Sequence, residues 1–217
     1  MRMFDLDLTY WLIAAVGFLA QGFFGARIAI QWIMSEKAGK LVSPEIFWVF
    51  SVLGGFTMFL YGVLRHDFSI ILGQAISYVI YLWNLDNTGI WKKLNMAIQV
   101  ILIAVPIICF SYLLKDFRSF LNNYFNGDVP IWLILYGSIG QLIFSLRFIY
   151  QFIESRKKGV STMSLPFWII SLAGSLIVAT YGLLRGDIVL LTTDSLGSII
   201  NARNVMIGIK ERKSKII

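Results

Sequence analysis

Residues 61–67 read Tyr-Gly-Val-Leu-Arg-His-Asp, and residues 181–187 read Tyr-Gly-Leu-Leu-Arg-Gly-Asp. Working outward from this pair at a constant offset of 120 residues, 17–84 aligns with 137–204 without a gap, and about 20 of about 68 positions are identical. The matches include rare polar residues: Gln21 with Gln141, Arg27 with Arg147, Gln31 with Gln151, Ser35 with Ser155, Ser51 with Ser171 and Asn84 with Asn204. Phe47-Trp48 also meets Phe167-Trp168, and Gly54 meets Gly174. A bias toward apolar residues yields Leu-on-Ile matches, but it does not align glutamines and arginines. The chain is an internal duplication.

Composition says what medium the copies occupy. Of 217 residues, 58% are hydrophobic and 14% charged, with a mean hydropathy of +0.75. A soluble domain carries roughly 25% charged residues, so this chain is expected to be an integral membrane protein. No polar stretch exceeds about 16 residues, which leaves no room for a soluble catalytic domain. The net charge of +7 fits basic loops on an anionic membrane surface, and nucleic acid is not expected as a partner. Cys109 is the only cysteine, so neither a disulfide framework nor a cysteine metal cluster is expected. Acidic Asp5 and Asp7 precede the first apolar run without a small-residue cleavage site, unlike a secretory signal.

A span needs about 20 mostly apolar residues. Seven such runs occur, at roughly 9–33, 46–64, 68–86, 94–114, 130–153, 167–184 and 187–207. Ser43 before Pro44, and Ser164 ahead of Pro166, read as capped helix starts. Lys and Arg fall about 11 to 5 between the two sets of loops. The N-terminus is therefore expected outside, in the periplasm, and the C-terminus in the cytoplasm. Each copy holds three spans, and the unpaired span at 94–114 restores the direction of the second. The expectation is an all-α membrane protein with seven transmembrane helices in a 3+1+3 arrangement of parallel triple-helix repeats. Its parts are 1–90 (first repeat), 91–116 (linker helix) and 117–217 (second repeat with a basic tail).

The pattern Gln31-Trp32-Ile33-x-Ser35-Glu36-Lys37, Phe47-Trp48-x-x-Ser51-x-x-Gly54-Gly55, Tyr61-Gly62-x-x-Arg65-x-Asp67, then Gly73-Gln74 and Asn84-Leu85 resembles the lipid A biosynthesis N-terminal domain family. The second copy matches in Gln151-x-x-x-Ser155, Pro166-Phe167-Trp168-x-x-Ser171, Tyr181-Gly182-x-x-Arg185-x-Asp187 and Asn204. That family is distantly similar to the SWEET and PQ-loop carriers, which share the 3+1+3 plan. The Pro-Gln dipeptide of PQ-loop proteins is absent. The resemblance implies handling of an envelope lipid or lipid-linked sugar in a bacterial inner membrane, such as a polyprenyl (undecaprenyl) phosphate sugar used to modify lipid A.

A charged side chain inside a span costs at least ~2.5 kcal/mol and normally faces a polar interior. Arg27 and Arg147 are such residues, each with Gln31 or Gln151 on the same helical face four residues later. Two guanidinium forks with amides beside them suit a phosphate or pyrophosphate; snorkelling to headgroups is the competing reading. Gln21, Gln141, Asn84, Asn204, Asn201 and Arg203 extend a candidate polar vestibule, although interhelical hydrogen bonding explains the asparagines equally well. Asp194 stands opposite Gln74 of the first copy and reads either as a substrate or coupling contact or as the partner of a basic group. Tyr61, Arg65 and Asp67, with Tyr181, Arg185 and Asp187, form either a turn ion pair below an interfacial ring or an outer gate. Phe47-Trp48 and Phe167-Trp168 read as interface anchors.

His66 is the only histidine, and no metal set, nucleophile elbow or phosphate-cradling glycine loop occurs. The expectation is accordingly no enzyme, no cofactor and no metal, but a flippase for an anionic lipid-linked sugar. The alternatives are a non-catalytic subunit presenting lipid to a glycosyltransferase, or a SWEET-like sugar carrier. Lys213→Cys tests the orientation. In intact cells it should resist a membrane-impermeant thiol reagent, and labelling from outside would reverse the topology.

Overall fold

In a computed structural model of the chain, the structure describes residues 8–64, 68–114, 130–186 and 188–214. These form helices α1 (Leu8–Ala38), α2 (Glu45–Leu64), α3 (Phe68–Asn87), α4 (Met96–Leu114), α5 (Ile131–Lys158), α6 (Leu165–Arg185) and α7 (Ile188–Ser214), with one 3-10 turn at Trp91–Lys93. Strands are absent among the described residues. Among the described residues four helices, α1, α2, α5 and α6, are long and apolar enough to cross a membrane, and Met96–Tyr112 of α4 is a further apolar stretch. In α7 the apolar run is broken by polar residues, Asp194, Asn201 and Arg203. The all-helical membrane class holds, and among the described residues four of the seven expected spans meet the requirement.

Several helices outrun their apolar segments. The last turns of α1, α5 and α7 carry Lys37, Arg156–Lys158 and Arg212–Lys213, cations that complement the open carbonyls at a helix C-terminus. After α1 and α5 the chain turns at Gly39 (φ 62°) and Gly159 (φ 71°), a left-handed conformation that glycine adopts without a Cβ clash. Ser164 is the N-cap of α6 but makes no capping bond. Its hydroxyl donates instead to Glu154 of α5, so the expected cap is spent on holding the loop to the preceding helix.

The chain divides into two compact units, one of residues 1–27 and 45–126, the other of 28–44 and 127–217. In the first, α2 packs on α3 and α4. The first part of α1 lies close to α2, where a Cβ on Gly54 would sit 2.6 Å from the Phe24 ring. In the second unit, α6 packs between α5 and α7, and a Cβ on Gly174 would meet the Phe144 backbone at 2.8 Å. The same glycine and the same phenylalanine thus set the helix approach in each copy.

Helix α4 contains Pro106, which has no N–H for the carbonyl of Leu102 four residues earlier. Tyr78 of α3 replaces it: its hydroxyl donates to Leu102 O at 2.9 Å. A buried acceptor stripped of its donor costs ~1–3 kcal/mol. Tyr78→Phe should therefore lower the thermal stability of the purified protein. In a Pro106→Ala background, where residue 106 regains an N–H, the same change should cost clearly less; equal losses in both backgrounds would show that the hydroxyl does not serve this carbonyl.

Candidate functional site

Both intramembrane-type arginines are buried, Arg27 at 4% exposure and Arg147 at 6%. A snorkelling arginine keeps its head in water, so that reading does not fit either residue. Arg27 donates to Ser51 Oγ at 3.0 Å, and its guanidinium lies 4.5 Å from the Phe24 ring centre and 5.2 Å from those of Phe47 and Tyr81. Ser51 in turn donates to Phe47 O at 2.6 Å. Arg147 sits 3.4 Å from the Phe144 ring centre and 4.6 Å from Phe148, within electrostatic reach of Asp194. Aromatic faces compensate part of the cost of desolvating each cation.

The glutamines do something the spacing did not reveal. Gln31 Nε2 donates to Ser35 Oγ at 2.9 Å, and Ser35 Oγ accepts the Val42 N–H at 3.2 Å. Gln151 Nε2 donates to Ser155 Oγ at 2.9 Å, and Ser155 Oγ accepts the Thr162 N–H at 2.9 Å. Each pair is a brace that folds the following loop back onto its helix. All four side chains are fully buried. Gln31 Nε2 also lies 3.1 Å from Asn204 Oδ1, which makes Asn204 an interhelical hydrogen-bonding residue of the second unit. Asn84 donates to Ile80 O at 2.9 Å. Arg203 is exposed and grips Glu36 with two nitrogens, Nε to Oε2 at 3.0 Å and Nη2 to Oε1. The structure thus places Arg27 with Ser51 in the first unit and Gln31 with Asn204 in the second.

The units differ most where α2 or α6 meets the third helix of its copy. In the first, Gly55 receives Tyr78, with Tyr81 beyond it. At the corresponding places the second unit has Ser175, Ser198 and Asn201. Ser198 donates to Ser175 Oγ at 2.9 Å and Asn201 to Ser175 Oγ at 3.1 Å, with a longer contact to Ser171 O at 3.3 Å. Half-buried Asp194 stands one turn before Ser198, whose hydroxyl also lies 2.7 Å from the Asp194 carbonyl. The sequence singled out Asn201 and Asp194 but not Ser175 and Ser198, because a serine inside an apolar helix carries no signal until its partners on the neighbouring helix are in place.

The remaining candidates are scattered. Gln21 is exposed, and the side chain of Gln141 lies outside the described residues. Tyr61 packs where a Cβ on Gly17 would be 2.9 Å from its ring, and Tyr181 lies 2.7 Å from the equivalent point on Gly137. Arg65, Asp67 and Asp187 lie outside the described residues, as does the Arg185 side chain. Trp48 and Trp168 are 0% and 2% exposed and pack edge-on against Phe47 and Phe167, with ring centres 4.9 Å apart in each pair. They are core residues and not interface anchors, because a ring with almost no exposed surface cannot reach headgroups. Neither indole N–H has an acceptor among the described residues.

The lipid A biosynthesis N-terminal domain family matches this chain twice, at residues 16–86 and 136–206. The lipid-A-disaccharide synthase of Chlamydia pneumoniae is 29% identical over 98% of the chain, and that of Chlamydia trachomatis serovar D is 30% identical over 96%. The chain spans only about a third of these relatives, 36% of each. No solved structure matches. The expectation that the chain is no enzyme is corrected by these similarities, since proteins with an enzyme's name match it almost from end to end. Motif reading went wrong because it tested only residues present here, and most of each relative lies outside the aligned region.

Ser155→Ala removes the acceptor of the Thr162 amide without touching any other loop residue. Loss of one net hydrogen bond of ~0.5–1.5 kcal/mol should speed hydrogen exchange at the Thr162 amide by about 2- to 10-fold, and Ser35→Ala should do the same at Val42. Unchanged protection in both variants would mean that the braces do not hold the loops.

Proposed function

The chain belongs to the lipid A biosynthesis N-terminal domain family, and from that premise we propose that it handles an anionic lipid-linked sugar for lipid A assembly in the inner membrane. It holds the phosphate of a polyprenyl-phosphate sugar and presents the headgroup to a glycosyl-transfer step. The observation that carries this reading is the similarity, over 96% or more of the chain, to proteins named lipid-A-disaccharide synthase. A glycosyltransferase, on another chain or on further residues, is the implied partner. In this reading all seven helices cross the membrane in the 3+1+3 plan, with the C-terminus in the cytoplasm. A second reading, translocation of the same headgroup across the bilayer, is favoured by the duplication, because two three-helix repeats are the plan of carriers.

Arg27 and Arg147 are the residues assigned to the phosphate. Both forks are already desolvated, so an oxyanion reaching either would meet a charge whose attraction is little screened. Charge-assisted hydrogen bonds contribute roughly 1.5–3 kcal/mol, so losing one arginine should weaken binding of a short-chain polyprenyl-phosphate hexose by about 10- to 150-fold. Arg→Lys keeps the charge, loses the planar fork and should recover only part. Lipid A from cells lacking the chain should show a missing saccharide or decoration by mass spectrometry. Unaltered lipid A, or full binding by a well-inserted Arg27→Ala, Arg147→Ala double variant, would overturn the assignment. Reconstituted protein that binds the probe without flipping it favours presentation; flipping favours translocation.

A further inference from the structure

Within the second unit, the loop after α1, the loop after α5 and the end of α7 line an open cavity of about 620 Å³. Ligand sites typically run to ~300–1,000 Å³ and combine apolar walls with a few convergent polar groups. Here the apolar wall is Leu41, Met163, Leu165 and Ile169. Two carboxylates, Glu154 and Glu211, and two cations, Lys158 and Arg212, also line it.

These groups are held in place. Glu154 accepts from Lys158 Nζ at 2.7 Å and from the Ser164 hydroxyl. Glu211 Oε2 accepts the Leu41 N–H at 3.1 Å, so the end of α7 is tied to the loop after α1. Ser43 and Ser161 join the two loops through their hydroxyls, 3.1 Å apart. Gly208 keeps α7 close to the wall, since a Cβ there would lie 2.8 Å from Leu41 and 3.0 Å from Leu165. Both loops are fixed in turn by the Gln–Ser braces. Arg212 is exposed and makes no ion pair among the described residues.

The carboxylates are a property of the second copy. At the positions of Glu154 and Lys158 the first copy has Met34 and Ala38, and at the same offset Glu211 and Arg212 meet Trp91 and Lys92, so one cation recurs but neither carboxylate does. A brace present in both copies is scaffold, whereas carboxylates beside cations in one copy alone are a specialisation. Arg212 offers a fork for a phosphate, and Glu211 offers a carboxylate for an ammonium. Among the described residues no aromatic ring lines the cavity, so none of them offers a nucleobase a stacking face.

We infer that this cavity binds a headgroup carrying a phosphate and an ammonium on one short unit, held by Arg212 and Glu211. Two sources share that chemistry: a phosphorylated amino sugar, and the phosphoethanolamine headgroup of the bilayer.

The test uses the full chain in nanodiscs. Calorimetry in phosphatidylglycerol discs follows glucosamine 6-phosphate, with glucose 6-phosphate and glucosamine as probes lacking the amine or the phosphate. Native mass spectrometry of lipid retained from mixed phosphatidylethanolamine–phosphatidylglycerol discs follows the bilayer source. Tight glucosamine 6-phosphate binding, with both partial probes about tenfold weaker or more, identifies the sugar source; selective retention of phosphatidylethanolamine identifies the lipid source. Whichever signal appears should fall about tenfold or more in Arg212→Ala and in Glu211→Gln, whose amide oxygen still accepts the Leu41 N–H. Lys213→Ala, an exposed cation outside the lining, should leave it unchanged. The inference is overturned by absence of both signals, by insensitivity to the two cavity variants, or by an equal loss in Lys213→Ala, which would reveal surface charge alone. Because the readout is binding, unaltered lipid A in cells lacking the chain would leave this site standing, and failure here would leave the lipid A reading standing.

Discussion

A backbone amide that leaves a helix and turns back onto it must find an acceptor within the protein wherever packing keeps water from it. The hydroxyls of Ser35 and Ser155 meet that requirement for Val42 and Thr162, and Gln31 and Gln151 orient them. Remove the hydroxyl and the turn after each long helix loses the bond that fixes its path. The positions of Ser43, Ser161, Leu41 and Glu211 follow from those paths, and so does the cavity they surround. The brace is the same in both copies, while the residues it carries into the cavity differ.

The buried arginines pose the opposite problem, charge where little water reaches. Each copy surrounds its cation with phenylalanine, but the rest of the surroundings diverge. In the first unit Arg27 has Ser51 and Tyr81 about it, and the neighbouring helix seam is closed by Tyr78 over Gly55. In the second, Arg147 has Asp194 in reach, and the seam holds hydroxyls and an amide. A duplication first gives two equal sites; these two have become one aromatic and one polar.

The helices and the repeat were legible because the repeated polar residues stood out against an apolar background that cannot align them by chance. The duplicate family match begins and ends at the same offset of the two copies. Other features were not legible for a physical reason. A glutamine four residues after an arginine shares its helical face whether it points at a ligand or at a serine, and only the path of the following loop decides. An aromatic pair near a helix start suits the core as well as the interface, and Trp48 and Trp168 turned out to be core. The Tyr78–Leu102 bond needs two helices in place before it exists, so nothing near Pro106 in the sequence announces it. Catalytic motifs can be sought only among residues that are present, which is why their absence said less about enzyme membership than it first suggested.

Helix α1 gives its first part to one unit and its last part to the other, and this has a consequence in time. Gln31 meets Asn204 across 173 residues. At about 5–20 residues per second of synthesis, that separation means Gln31 is made roughly 9–35 s before its partner. Over that interval the end of α1 belongs to a unit that does not yet exist. The contact from Gln31 to Ser35 and on to Val42 needs only a dozen residues of chain, so it is available almost as soon as the helix is made. It is a contact that can hold the turn in shape while the remainder of the second unit is still to be made.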